Sequence, residues 1–124
     1  MGKGKGLGLF DGTHGSGVDV NGQRFTIHQG HQDKHIWGTN NHARELRKGE
    51  IRSVLTGNPH ELLREWAGRG VRHTNKEVVD TGNTVGRFFC TTQRQFFDTT
   101  RITIHYDSKG QAHIVPARPG WMLP

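Results

Sequence analysis

The sequence predicts an α+β domain with its helices on one side of an antiparallel sheet. A capped helical segment lies in the first half, and after Gly70 the texture turns to short runs rich in Val, Phe and Thr. The 124 residues, 31% hydrophobic and including 18 Gly, hold one domain with a modest core.

Residues 1–24, "MGKGKGLGLFDGTHGSGVDVNGQR", are dense in glycine and read as a flexible tail or linker, because such a segment loses much backbone entropy on ordering. A single domain is therefore expected over 25–124, beginning near Arg24 or Phe25. "IHQGHQDKHIWG" makes a poor helix, with Gly30 in its middle and Gly38 close after it. A weak helix is expected through "NHARELRKGEIRSVL", with Ala43, Leu46, Ile51 and Leu55 as its apolar positions and an interruption at Gly49. The clearest helix is "NPHELLREWAG": Asn58 caps it, Pro59 takes the first position, Glu61 follows three after the cap, and Leu62, Leu63 and Trp66 share a face until Gly68 ends it.

"VRHT", "EVVDTG" and "VGRFFCTTQ" then read as strands. "TRITIHYD" alternates strictly, placing Ile102, Ile104 and Tyr106 on one face and Arg101, Thr103, His105 and Asp107 on the other. "DSKGQ" is a turn and "AHIVPA" the return strand of a hairpin.

The formal charge of +6 comes from eleven Arg and six Lys, and the planar Arg fork matches phosphate, so the leading partner is nucleic acid and the second an acidic protein. Cys90 is alone, which excludes an intrachain disulfide and a cysteine zinc cluster. No apolar run approaches a membrane span, and "MGKGKGLGLF" lacks the apolar middle of a signal peptide. "GKGKGLG" is not followed by the Lys-Ser/Thr of a phosphate-binding loop, and no nucleophile elbow surrounds Ser108, so nucleotide triphosphate binding and serine hydrolysis are set aside.

Nine histidines remain to be explained. His28, His31 and His35 have helical ligand spacing, but the stretch is a poor helix and brings no acidic partner, so no metal or cofactor is expected. General acid–base catalysis fits better. Attack of an RNA 2′-OH on its own phosphodiester needs a base, an acid and a cation, and two His with a Lys suffice. Lys34 and His35 in one segment, and His105, Lys109 and His113 around the hairpin, supply such a set. His105 and His113 lie close across the strands if the turn centres on Ser108 to Gly110, and whether they share a face depends on register. Thr39 binds a phosphate or closes a turn. Arg72, Arg87, Arg94, Arg101 and Arg118, with Ser108, form a candidate RNA-binding face. His14, His42, His60 and His73 read as ordinary residues, His42 at the surface.

At "DKHIWGTNNH" and "IHYDSKGQAHIVPARPG" the chain resembles the bacterial polymorphic toxin type 50 family, predicted ribonucleases at the C-terminal tips of larger secreted proteins and on some phage head proteins. The resemblance runs from about Gln29 to Pro119. "KHIWG" is also similar to the segment around a catalytic His of EndoU nucleases. The family resemblance implies the fold of the barnase, EndoU, colicin and RelE ribonuclease group, with N-terminal helices on a four- to five-stranded antiparallel sheet. It further implies RNA (tRNA among the candidates) as substrate, a cognate immunity protein, and delivery into a competitor's cytoplasm. Joined to the acid–base set above, this makes the expected activity a metal-independent endoribonuclease giving a 2′,3′-cyclic phosphate, with His35 and one of His105 or His113 as the acid–base pair and Lys34 or Lys109 stabilising the phosphorane, in a monomeric tip met by an acidic immunity protein. Lys34, His35 and Thr39 match its first motif, and His105, Ser108, Lys109 and His113 its second. Trp37 stands where a smaller residue or Pro is expected, and Asp107 lengthens the stretch between Tyr106 and Ser108. The other reading is a non-catalytic RNA-binding or virion structural domain on the same basic face.

Overall fold

The computed structural model describes residues 17–122. It is mixed α/β, dominated by antiparallel pairing, with twelve elements ahead of a final 3₁₀ turn at Gly120–Met122. Strands β1 (Val18–Val20) and β2 (Gln23–Ile27) form a hairpin inside what the glycine content suggested was tail. Asn21-Gly22 is the turn, both at positive φ, and Val18, Val20, Phe25 and Ile27 alternate around it. Val20, Phe25 and Ile27 enter the core, so the domain starts at least six residues before Arg24. The remaining tail residues, 1–16, lie outside the described range.

Helix α1 (Gln29–Asp33) is a single turn, formed despite Gly30 because the His28 ring caps it, its Nδ1 accepting from the His31 N–H at 3.1 Å. Helix α2 (Asn40–Arg47) begins at Thr39 and stops before Gly49, whose φ of +83° ends it. Its inward face differs from the expected one. His42 and Glu45 are buried and Leu46 is exposed, because Arg52 and Lys48 close over the Glu45 carboxylate while the His42 ring lies 4.8 Å from that of Trp37. Ile51 to Leu55 do not continue a helix; Val54–Leu55 is strand β3.

Helix α3 (Pro59–Trp66) follows its sequence signals: the Asn58 side chain accepts from the His60 and Glu61 N–H groups, and Leu62 and Leu63 are buried. Then come β4 (Val71–His73), β5 (Lys76–Asp80), β6 (Gly86–Cys90), β7 (Gln95–Thr99), β8 (Arg101–Tyr106) and β9 (Gln111–Pro116). Strand β7 was not legible as such.

The main sheet has six strands rather than four or five, in the order β1-β2-β9-β8-β5-β4, and a second sheet runs β3-β6-β7. One pairing is parallel, β2 with β9, and it covers only Gln111 and Ala112. Past that point the Gln32 side chain serves as a strand, its Nε2 donating to Ile114 O at 2.9 Å and its Oε1 accepting from Ile114 N–H at 2.7 Å. The amide is fully buried, so the unpaired edge of β9 is satisfied without water. Ile102, Ile104, Ile114 and Leu63 are the fully buried apolar centre, each contributing about 1.5–3 kcal/mol by burial.

Candidate active site

The hairpin β8–β9 divides its side chains by alternation. Ile102, Ile104, Tyr106, Ala112 and Ile114 turn to the core, leaving His105 and His113 on the other face. The register pairs His105 directly with His113, and their rings stack 4.7 Å apart at 7°. On the other side of β8, Lys76 of β5 pairs with His105. The Asp107 carboxylate sets this register. It accepts from the Lys109 and Gln111 N–H groups at 2.8 and 2.9 Å, so the residue that lengthens the family motif builds the turn.

The N-terminal segment brings three more imidazoles. His28 N–H donates to Ala112 O at 2.7 Å as β2 leaves the sheet, and the cap holds the His28 and His31 rings 4.0 Å apart. His31 meets His113 edge-on at 5.3 Å. His35 comes from the turn after α1, parallel to His113 within 11° at 6.3 Å. It is only 9% exposed, and its Nδ1 lies 2.9 Å from Ser53 O. A carbonyl only accepts, so Nδ1 carries the proton and Nε2 holds the lone pair in the neutral ring. Ser53 is itself fixed, its Oγ accepting from the Phe89 N–H at 2.8 Å.

His113 is the hub of this group, and burial together with the surrounding His105, His35, His31 and His28 pushes it down to about 3. His105 is lowered by burial and by Lys76. His35 is lowered by burial and by Arg52, His105 and Lys34, against the Ser53 carbonyl, which raises it. His31 is lowered by burial, His28 and Lys34, with Asp107 opposing. His31, His35, His105 and His113 therefore give up their protons more readily than free imidazoles, and an anion placed among them would draw protons onto them.

Other sequence candidates fall elsewhere. Lys34 stands near His31 and His35 electrostatically, whereas Lys109 and Ser108 are exposed on the hairpin turn. Thr39 is a cap. Its hydroxyl donates to Asp33 O at 2.6 Å and accepts from the His42 N–H at 3.1 Å. The arginines do not form one face. Arg72 stands opposite Glu77 in the β4–β5 register, and its guanidinium lies over the Tyr106 ring at 4.3 Å. Arg87, Arg94 and Arg118 lie over Phe96, Phe89 and Phe88 at the second sheet, and Arg101 donates to Arg118 O. Missing from the sequence reading were Lys76, whose place comes from strand pairing, Ser53, held by the Phe89 N–H, and the approach of His28 and His31 to His113.

Among the described residues no three His, Cys, Asp or Glu side chains are arranged to hold a metal ion. Stacked rings keep their in-plane lone pairs side by side, and a tetrahedral ion needs them to converge. No helix among the described residues is long and apolar enough to cross a membrane.

His28, His31, His105 and His113 line an open cleft of about 220 Å³, with His35 set behind His113. Sites that enclose a small ligand hold roughly 300–1,000 Å³, so this cleft is too small to enclose one whole. The family model of bacterial toxin 50 matches residues 27–116, a span that contains every one of these imidazoles. No curated protein and no solved structure matches the chain.

Proposed function

The chain belongs to the bacterial toxin 50 family, and from that premise we propose that it is a metal-independent endoribonuclease toxin domain acting through His113 and His105. The supporting observation is their direct cross-strand pairing, two parallel imidazoles 4.7 Å apart in an open cleft of a basic chain. Such rings can address the two axial oxygens of one phosphorane, the attacking 2′-oxygen and the departing 5′-oxygen.

Where neighbouring groups have their proton affinities pushed apart, the weaker proton holder is the base and the stronger the acid. His113, at about 3, is neutral and takes the 2′-OH proton as that oxygen attacks phosphorus. His105 is less depressed. It carries the shared proton and delivers it to the 5′-oxygen as the P–O5′ bond breaks, leaving a 2′,3′-cyclic phosphate. Lys76, across from His105, stabilises the charge on the non-bridging oxygens, with Lys34, near His31 and His35, adding positive charge. His35, buried and tied to Ser53, orients His113 from behind.

This reading places the chain at the tip of a larger secreted protein, acting in a recipient's cytoplasm and neutralised by an acidic immunity protein. The test is direct. Purified chain incubated with total RNA in EDTA should produce cyclic-phosphate ends, and induced expression without an immunity gene should arrest growth. Intact RNA in vitro together with harmless high expression would overturn the enzyme and favour an RNA-binding or virion structural domain; activity lost in EDTA would overturn the metal-free mechanism.

A further inference from the structure

A second cavity, of about 430 Å³, opens beside the imidazole cleft at the hairpin end of the main sheet. Asn75, Tyr106 and Asp107 line both, so the two meet at this rim around the end of the sheet, the imidazole cleft on one face and the second cavity, walled by Phe25 and Arg72, on the core side. Its own wall is Gln23, Phe25, Arg72 and Ser108.

Three features set its chemistry. First, the Arg72 guanidinium lies 4.3 Å over the Tyr106 ring and is pinned by its Nε donating to Thr74 O at 3.1 Å. A planar cation held flat in this way is a stacking platform for another π system. Second, Asn75 is placed firmly, its backbone O accepting from the Tyr106 N–H at 2.8 Å, while its exposed side chain faces the rim. The preceding Thr74 adopts a φ of +50°, a left-handed conformation that a β-branched residue avoids, so the turn holds Asn75 at the cost of local strain. Among the described residues neither the Asn75 nor the Gln23 amide has a hydrogen-bond partner. Third, Asp107 sits on the rim with its carboxyl held low by the Gln111 and Lys109 N–H groups, and so as an anion. It repels a second phosphate and tolerates a neutral ring.

We infer that the second cavity is a nucleobase subsite: the base adjoining the phosphodiester held by the imidazoles stacks on Arg72 and is read at its edge by Asn75 and Gln23. The ligand's identity rests on the endoribonuclease reading. Asn75 and Arg72 are then specificity-determining residues, and the strained turn between β4 and β5 is the element that places them.

Dinucleoside monophosphates lacking the 2′-OH cannot be cleaved by this route and so report binding alone. Titrated into the wild-type chain, the intact dinucleotide should bind at least about tenfold more tightly than the same molecule with one base removed, and the Asn75 side-chain amide and Arg72 Nε signals should shift in NMR spectra. Asn75→Ala and Arg72→Lys should each lose most of that gain. Equal affinity for the intact and abasic molecules, or unshifted Asn75 and Arg72 signals, would overturn the subsite. Cleavage of the matching ribodinucleotide is scored separately. Base-dependent binding without cleavage would sink the enzyme and keep the subsite, and cleavage with a base profile unchanged in both variants would do the reverse.

Discussion

The two faces of the hairpin β8–β9 come from the same twelve strand residues and treat buried polar groups in opposite ways. On the core face, Glu77 is 1% exposed and fully engaged. It accepts from the Tyr106 hydroxyl at 2.6 Å, the Gly68 N–H at 3.0 Å and the Gly70 N–H at 2.7 Å. Gly70 has to be glycine there, since a Cβ would run into the Val78 carbonyl. Across the sheet, His105 and His113 are half-buried against each other and against further imidazoles, with no carboxylate among the described residues paired to them. Satisfied groups fix a structure and respond little to their surroundings. Like groups crowded together remain responsive, and an arriving anion changes their protonation.

Breaking the open face should abolish chemistry and spare the fold. His113→Ala and His105→Ala are each expected to lower RNA cleavage about 10²–10⁴-fold, the usual contribution of a general acid or base, with near-wild-type unfolding midpoints. Loss of less than tenfold from both would dissolve the contrast. The pH profile sharpens it. Since kcat/KM follows the free enzyme, it should decline as pH rises through the His105 value, which lies below 6.5, and a limb above neutrality would exclude His105 as the acid.

Breaking the core face should do the reverse. Glu77→Ala strands three donors and is expected to cost about 3 kcal/mol, read from urea unfolding, because each unsatisfied buried group costs roughly 1–3 kcal/mol. A cost under about 1 kcal/mol would mean that the donors find water instead.

Acid separates the faces more gently. His113 falls from an ordinary 6.5 to about 3 in the folded chain, so its neutral form contributes no penalty above 6.5, and stability is lost as pH drops from there toward 3. Glu45, held at about 2 by Lys48 and Arg52, adds its own loss only below its ordinary 4.5. Between pH 6.5 and 4.5 the decline should therefore belong to the imidazoles and be shallower in His113→Ala. Equal slopes would contradict the depressed value. The smallest effect is Thr39→Ala, which removes the α2 cap at about 1 kcal/mol and should leave cleavage within about twofold; a larger activity loss would return Thr39 to the site.

Local signals fixed the parts of the chain whose physics is local. The α3 cap, the face of Ile102, Ile104 and Tyr106, and the hairpin turn at Ser108 to Gly110 depend on residues within a few positions of one another, and all were legible. So was the chemistry on offer, imidazoles with lysines on a basic chain. The Asn21-Gly22 hairpin was legible in principle but hidden by the surrounding glycines.

What only the tertiary structure decided depends on pairing across the chain. Register put His113 opposite His105 and Lys76, and a shift of one residue would have turned His113 to the core. The packing of α1 on β9 through Gln32 brought His28, His31 and His35 to that pair, across some eighty residues of sequence. The separation of Arg72 from Arg87, Arg94 and Arg118 followed from the division of the strands between two sheets. Composition counts charges and rings, but their proton affinities are set by neighbours, and distant neighbours exist only once the sheet has closed.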